Sequence, residues 1–207
     1  MRFVRKKLSS DSIKERVLFT FIFFLILFFG ITVVSYFILP EGLLKNSNPM
    51  QRWETSENTF ILTLQIFFYN MLSVMVIVFG SIFGQKKESE SNYISIGYLA
   101  LFTQILSNGI VLGTWSFSMG GAAVPLLSRI LRTFDLAHRA GFWEMMGQLL
   151  ITCAVAHIAI ILTNGKNTVT RKIRDIRLTR AEKFVLITGF ALMLIGAIIE
   201  SVAINTF

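Results

Sequence analysis

The chain's 207 residues are 54% hydrophobic with a mean hydropathy of +0.65, and the apolar residues fall in blocks long enough to cross a bilayer, which excludes a soluble domain built on one core. The formal charge of +8 would suit a nucleic-acid binder only if it gathered on one surface; read along the chain, it belongs to the segments between apolar blocks. One cysteine, Cys153, lies inside an apolar run and leaves neither a disulfide framework nor a thiolate metal set.

The first 16 residues carry Arg2, Arg5, Lys6, Lys7, Lys14 and Arg16, as the basic region of a secretory signal would. Val17 to Leu39 then runs 23 residues without a charge and without a small-residue cleavage site, which predicts a retained membrane helix over 17–39. Leu39-Pro40-Glu41-Gly42 ends it, because proline cannot donate in a continuing helix and glycine favours the exit turn. The 28 uncharged residues from Asn58 to Gln85 predict a second helix over 59–84, with Gln65, Asn70 and Ser73 inside it. Gly80 and Gly84 stand four apart, a spacing that lets backbones approach where lipid supplies no hydrophobic drive to association. A third helix is predicted over 94–114. On it Gln104 and Asn108 lie one turn apart on one face, and Gly109 and Gly113 repeat the small-residue spacing, which predicts close packing of the second helix on the third.

After Trp115, Gly120, Gly121 and Pro125 break the pattern. Residues 121–138 read as an interfacial or re-entrant helix, with Arg129, Arg132, Asp135, His138 and Arg139 in or beside it. Met145 to Gly165 is free of charge and predicts a fourth helix over 144–164, where Glu144, Gln148 and Thr152, four apart, make one polar stripe. Residues 166–183 read as a solvated basic linker, and a fifth helix over 184–205 places Glu200 about 24 Å along its axis.

The expectation is therefore an all-α, polytopic membrane bundle of five transmembrane helices plus the interfacial or re-entrant one, forming a single domain over 1–207. With the N-terminus cytoplasmic, fifteen of the 20 Lys and Arg residues fall on the inner side, and Lys45, Arg52, Arg129, Arg132 and Arg139 on the outer, so the positive-inside rule selects a cytoplasmic N-terminus and an external C-terminus. Topology and anionic membrane lipids account for the positive charge, and no nucleic-acid partner is called for.

In this orientation Glu144, Glu200 and Asn108 converge on the outer leaflet, and an ionisable group at membrane depth is costly unless it lines a cavity or meets a partner. Glu144, Glu200, Asn70, Asn108, Gln148, Arg132, Arg139 and His138 form the predicted binding set. The bland alternatives are that the amides join helices and that Glu144 caps its own helix. Cys153 and His157, one turn apart, make an incomplete metal site, so no metal or cofactor is expected. Motifs for hydrolysis and nucleotide binding (HExxH, GxSxG, Walker A) are absent. That favours a non-enzymatic subunit over an intramembrane peptidase or peptide ligase using Glu144 and Glu200.

Asn70 followed by Gly80 and Gly84, then Asn108-Gly109 with Gly113, then Gly141-Phe142-Trp143-Glu144, then Glu200 in IIESVAINTF, resembles the stage II sporulation protein M family across nearly the whole chain. Around Glu144 the family pattern is Pro-His-Gly, two apolar residues and Glu; here Gly141 and Glu144 keep their spacing, while Arg139 and Ala140 replace the Pro and His, and His138 is displaced by two positions. The resemblance implies a membrane subunit that works with protein partners, among them a separate ATPase. Its implied settings are septal remodelling and engulfment in spore formers, and the maturation, export or immunity of circular bacteriocins. A peptide or cell-wall component is the implied ligand.

Overall fold

A computed structural model of the chain describes residues 2–45, 56–87, 93–116, 124–131, 141–164 and 167–206. Its helices are α1 (Arg2–Leu8), α2 (Ile13–Ile38), α3 (Thr59–Phe83), α4 (Ile96–Gly113), α5 (residues 126–131), α6 (Gly141–Ala154) and α7 (Arg180–Thr206). Three short strands, β1 (Gln85–Lys87), β2 (Ile161–Asn164) and β3 (Asn167–Thr170), form a small sheet. Four of the described helices, α2, α3, α4 and α7, are long and apolar enough to cross a bilayer, so this is a multi-pass membrane protein.

The helices are organised inside out relative to a soluble bundle. On α2 the buried positions Arg16, Thr20, Phe24, Phe28, Thr32 and Ser35 recur every three or four residues, whereas Leu18, Ile26 and Phe37 are among the exposed ones. Surrounded by lipid, an apolar side chain has no hydrophobic drive to face inwards; packing and hydrogen bonding select the inner stripe, where Phe24 and Phe28 stack on each other between Thr20 and Thr32. The other interfaces follow the same rule: Thr63 and Ser201 are hydrogen-bonded between α3 and α7 at 2.6 Å, and Ser81 and Ser95 between α3 and the start of α4 at 2.8 Å.

Glycines set which backbones touch. A methyl group built on Gly113 would lie 2.5 Å from the Thr32 carbonyl oxygen, and one on Gly109 2.9 Å from that of Phe28, so this pair seats α4 on α2. Gly80 instead faces Ile96 and the Gly97 amide of α4, so of the two predicted glycine pairs only this one serves the contact between the second and third membrane helices. Another close approach was not predicted: a methyl on Gly147 of α6 would meet the Gly189 carbonyl oxygen of α7 at 2.6 Å, and one on Gly189 would meet that of Gly147 at 2.8 Å.

Helix ends are fixed by local chemistry. The Asn58 side chain accepts from the Phe60 and Ile61 amides to start α3, and the Ser95 hydroxyl accepts from Gly97 to start α4. α2 stops at Ile38 before Pro40, and Gly42 takes a left-handed φ of 73°, turning its amide onto the Thr114 carbonyl at 2.7 Å.

The helix predicted over 144–164 is corrected: α6 begins at Gly141 and ends at Ala154. At 1.5 Å per residue its 14 residues cover about 21 Å, short of a ~30 Å hydrocarbon core. Freedom from charge permits a helix but does not require one. Beyond Ala154 the chain unwinds while staying buried, and Arg171 satisfies the released carbonyls, donating to His157 O and Ala159 O, each at 2.7 Å. The Ile160 amide then donates to Ile82 O, and β2 pairs with β1 in parallel from Gln85↔Ile161 to Lys87↔Thr163. The two strands are parallel because α3 and α6 both run down to this end of the bundle before entering them. β3 returns antiparallel to β2.

The expectation of a helical chain holds, with this small sheet beside the helices, and the segment read as a linker over 166–183 is structured in its described part, 167–183. It contains β3, a 3-10 turn at Ile173–Asp175 and the first turn of α7, which starts at Arg180.

Candidate functional site

Glu144 occupies the first turn of α6, where its carboxylate Oε1 accepts a hydrogen bond from Asn70 Nδ2 of α3. Glu200, on α7, lies near enough for the two carboxyl groups to interact electrostatically. α6 and α7 pack through Gly147 and Gly189 and run antiparallel, which puts Glu200 about 9 Å, or six residues, further along the bundle than Glu144 and on the side of the Thr63–Ser201 contact. Three helices thus contribute polar groups to one place inside the bundle. Two like charges there repel more strongly than in water, and the Asn70 amide donor offsets part of that repulsion for Glu144.

The remaining predicted residues divide by helix face. Asn108 is exposed on α4 and its amide donates to Met145 Sδ at 3.6 Å, which ties α4 to α6 just below Glu144. Gln148 is buried one turn beyond Glu144. Thr152 spends its hydroxyl on the Gln148 carbonyl at 2.7 Å, so the predicted stripe is partly used within its own helix. Arg132, His138 and Arg139, together with Asp135, lie outside the described residues.

Two buried groups near this level make no hydrogen bond among the described residues. They are a donor, Trp143 Nε1, and an acceptor, Gln104 Oε1. A buried polar atom without a partner costs about 1–3 kcal/mol.

Sequence reading missed two arginines that define the ends of the bundle. At the end where α2 begins, Arg16 is wholly buried; its Nη2 donates to Glu182 Oε1 at 2.5 Å and its Nη1 to Ser10 O at 2.9 Å, beside the His157 ring. Glu182 in turn accepts from the Thr179 amide and hydroxyl, closing a reciprocal cap at the start of α7. The T-x-x-E spacing of Thr179 and Glu182 was the available signal, and it lay in the segment read as linker. At the opposite end Arg129 is 1% exposed, with donors on Val124 O, Gly113 O and Glu41. Its guanidinium lies 4.7 Å from the Tyr36 ring centre and 5.5 Å from that of Trp115, a residue held at φ 53°. Arg129 therefore locks the ends of α2 and α4 together and does not reach into the carboxyl site.

His157 and Cys153 are engaged separately: Cys153 Sγ donates to Thr20 Oγ1 at 3.4 Å and receives the Tyr98 hydroxyl at 3.6 Å, while His157 faces Arg16. Among the described residues no three His, Cys, Asp or Glu side chains are grouped to hold a metal ion. The chain matches no family model, no curated protein and no solved structure.

Proposed function

We propose that the chain is a non-enzymatic, multi-pass subunit of a membrane complex that binds or passes a peptide or cell-wall component at the site formed by Glu144, Asn70 and Glu200. The observation that carries this reading is the half-buried Glu144 carboxylate bonded to Asn70 between α6 and α3, with the Glu200 carboxyl close enough to interact with it. Buried acidic groups in membrane helices are costly and are kept where something polar must be met.

In this proposal the chain crosses the bilayer five times, since residues 141–160 run from the level of Asn108 to Arg16 even though only part of that path is helical. The Arg16 end is cytoplasmic, as the basic residues favour, and the C-terminus is external. The resemblance to the stage II sporulation protein M family supplies the setting: septal remodelling during sporulation, or maturation, export or immunity of a circular bacteriocin, driven by a separate ATPase. The proximity of two carboxyl groups supports a second reading, an intramembrane peptidase or ligase in which they act as acid and base.

The test replaces Glu144 and Glu200 by Gln, singly, in cells that depend on the chain. The expected result is normal accumulation in the membrane with loss of complementation. Full complementation by both variants would overturn the site. Turnover of a peptide by the purified chain in vesicles, without partners and abolished by Glu144→Gln, would replace the first reading with the second.

A further inference from the structure

We propose a built site for one anionic phospholipid at the Arg16 end of the bundle. A groove of about 620 Å³ opens there between α3, the unwound tail of α6, the 3-10 turn and α7. Ile82, Ile158, Leu186 and Phe190 make its walls, and Ile173 and Ile176 line it from the linker side. Arg177 and Lys183 stand in the same lining, and both side chains are exposed.

The groove is apolar in depth and cationic at its rim, and an acyl chain joined to a phosphate has the complementary pattern. Neither cation has an ion-pair partner among the described residues. The two acids nearest in sequence are engaged, Glu182 with Arg16 and Thr179, and Asp175 at 3.9 Å from Arg174. On the linker, Ile173 and Ile176 belong to the groove lining, Ile173 keeping much of its surface exposed, while Lys172 and Arg174 lie outside that lining. Where the apolar groove continues the lipid-facing surface of α7, with Phe184 and Ile187 exposed beside it, the occupant is a lipid from the surrounding leaflet, and the cations select a negative headgroup.

The experiment uses the full chain, purified in neutral detergent, and measures retained lipid by native mass spectrometry after titration with phosphatidylglycerol or phosphatidylcholine. The expected result is one phosphatidylglycerol retained in preference to phosphatidylcholine. Arg177→Gln with Lys183→Gln should weaken that preference by about thirtyfold, from roughly fivefold per cation at a membrane surface. The charge-matched pair Lys172→Gln with Arg174→Gln, outside the groove, should leave it within about twofold, the change expected of charges that do not touch the headgroup. Equal losses from both pairs would reduce the effect to diffuse attraction and overturn the site. So would equal retention of the two lipids, or displacement of phosphatidylglycerol by glycerol phosphate at equal concentration, which would identify a site for free phosphate.

Discussion

At the scale of single residues, the most consequential finding is that Arg16, counted with the basic N-terminal segment, and Arg129, placed on an interfacial or re-entrant helix, are interior parts. Arg16 is fully buried and faces Glu182 across 166 positions of sequence. Removing one member of such a pair strands the other charge away from water. Arg16→Met or Glu182→Met alone should therefore cost about 3–5 kcal/mol, and the double replacement clearly less than the sum. Denaturation of the four proteins in one detergent checks this, and strictly additive losses would mean that the two side chains do not stabilise each other. Glu144 differs in kind, since its bond to Asn70 joins α6 to α3 where the bundle has other unpaired polar groups.

Among elements, the pairing of α6 with α7 is the most extensive and rests on two glycines that no motif announced. Gly147→Val would drive side-chain carbon into the Gly189 carbonyl, a backbone atom that cannot step aside. Overpacking of this kind costs about 1–3 kcal/mol and should lower the melting temperature of the purified chain. Gly30→Ala is the matched control, because nothing lies within 4 Å of the added methyl and a helical alanine gains about 0.5–1 kcal/mol over glycine. An unchanged melt for Gly147→Val would mean that α6 and α7 do not meet there. The half-unwound path after Ala154 has its own logic: it trades intrahelical bonds for Arg171 and the β1 strand, and so gives the linker a surface on which to fold.

For the whole molecule, the decisive measurement is the sidedness of its two ends. With Cys153 replaced by Ala, single cysteines at Ser10 or Lys172 should react with an impermeant maleimide only after the membrane is broken, and those at Lys45 or Asn205 in intact cells. Protection of both Ser10→Cys and Asn205→Cys would make the number of crossings even and dismiss the five-span reading. The geometry behind the expectation is that α2, α4 and α7 ascend from the Arg16 end while α3 and α6 return to it, as the contacts Tyr98 to Cys153, Gly113 to Thr32 and Thr63 to Ser201 require.

Sequence alone was enough to establish a multi-pass helical membrane protein, because a long uncharged run leaves a backbone in lipid few other ways to satisfy its amides. It also singled out Glu144, Glu200 and Asn70, since polar residues inside such runs are conspicuous. It was mute on partners: Gly109 and Gly113 carry the spacing that marks close packing but not the information that α2 is what they meet. The end of α6 at Ala154, the sheet, and the burial of Arg16, Arg129 and Glu182 depend on groups far apart in the chain. Hydropathy averages over neighbours in sequence, and only the tertiary structure could show that Arg171 would satisfy an unwound turn or that Glu182 would cancel a buried charge.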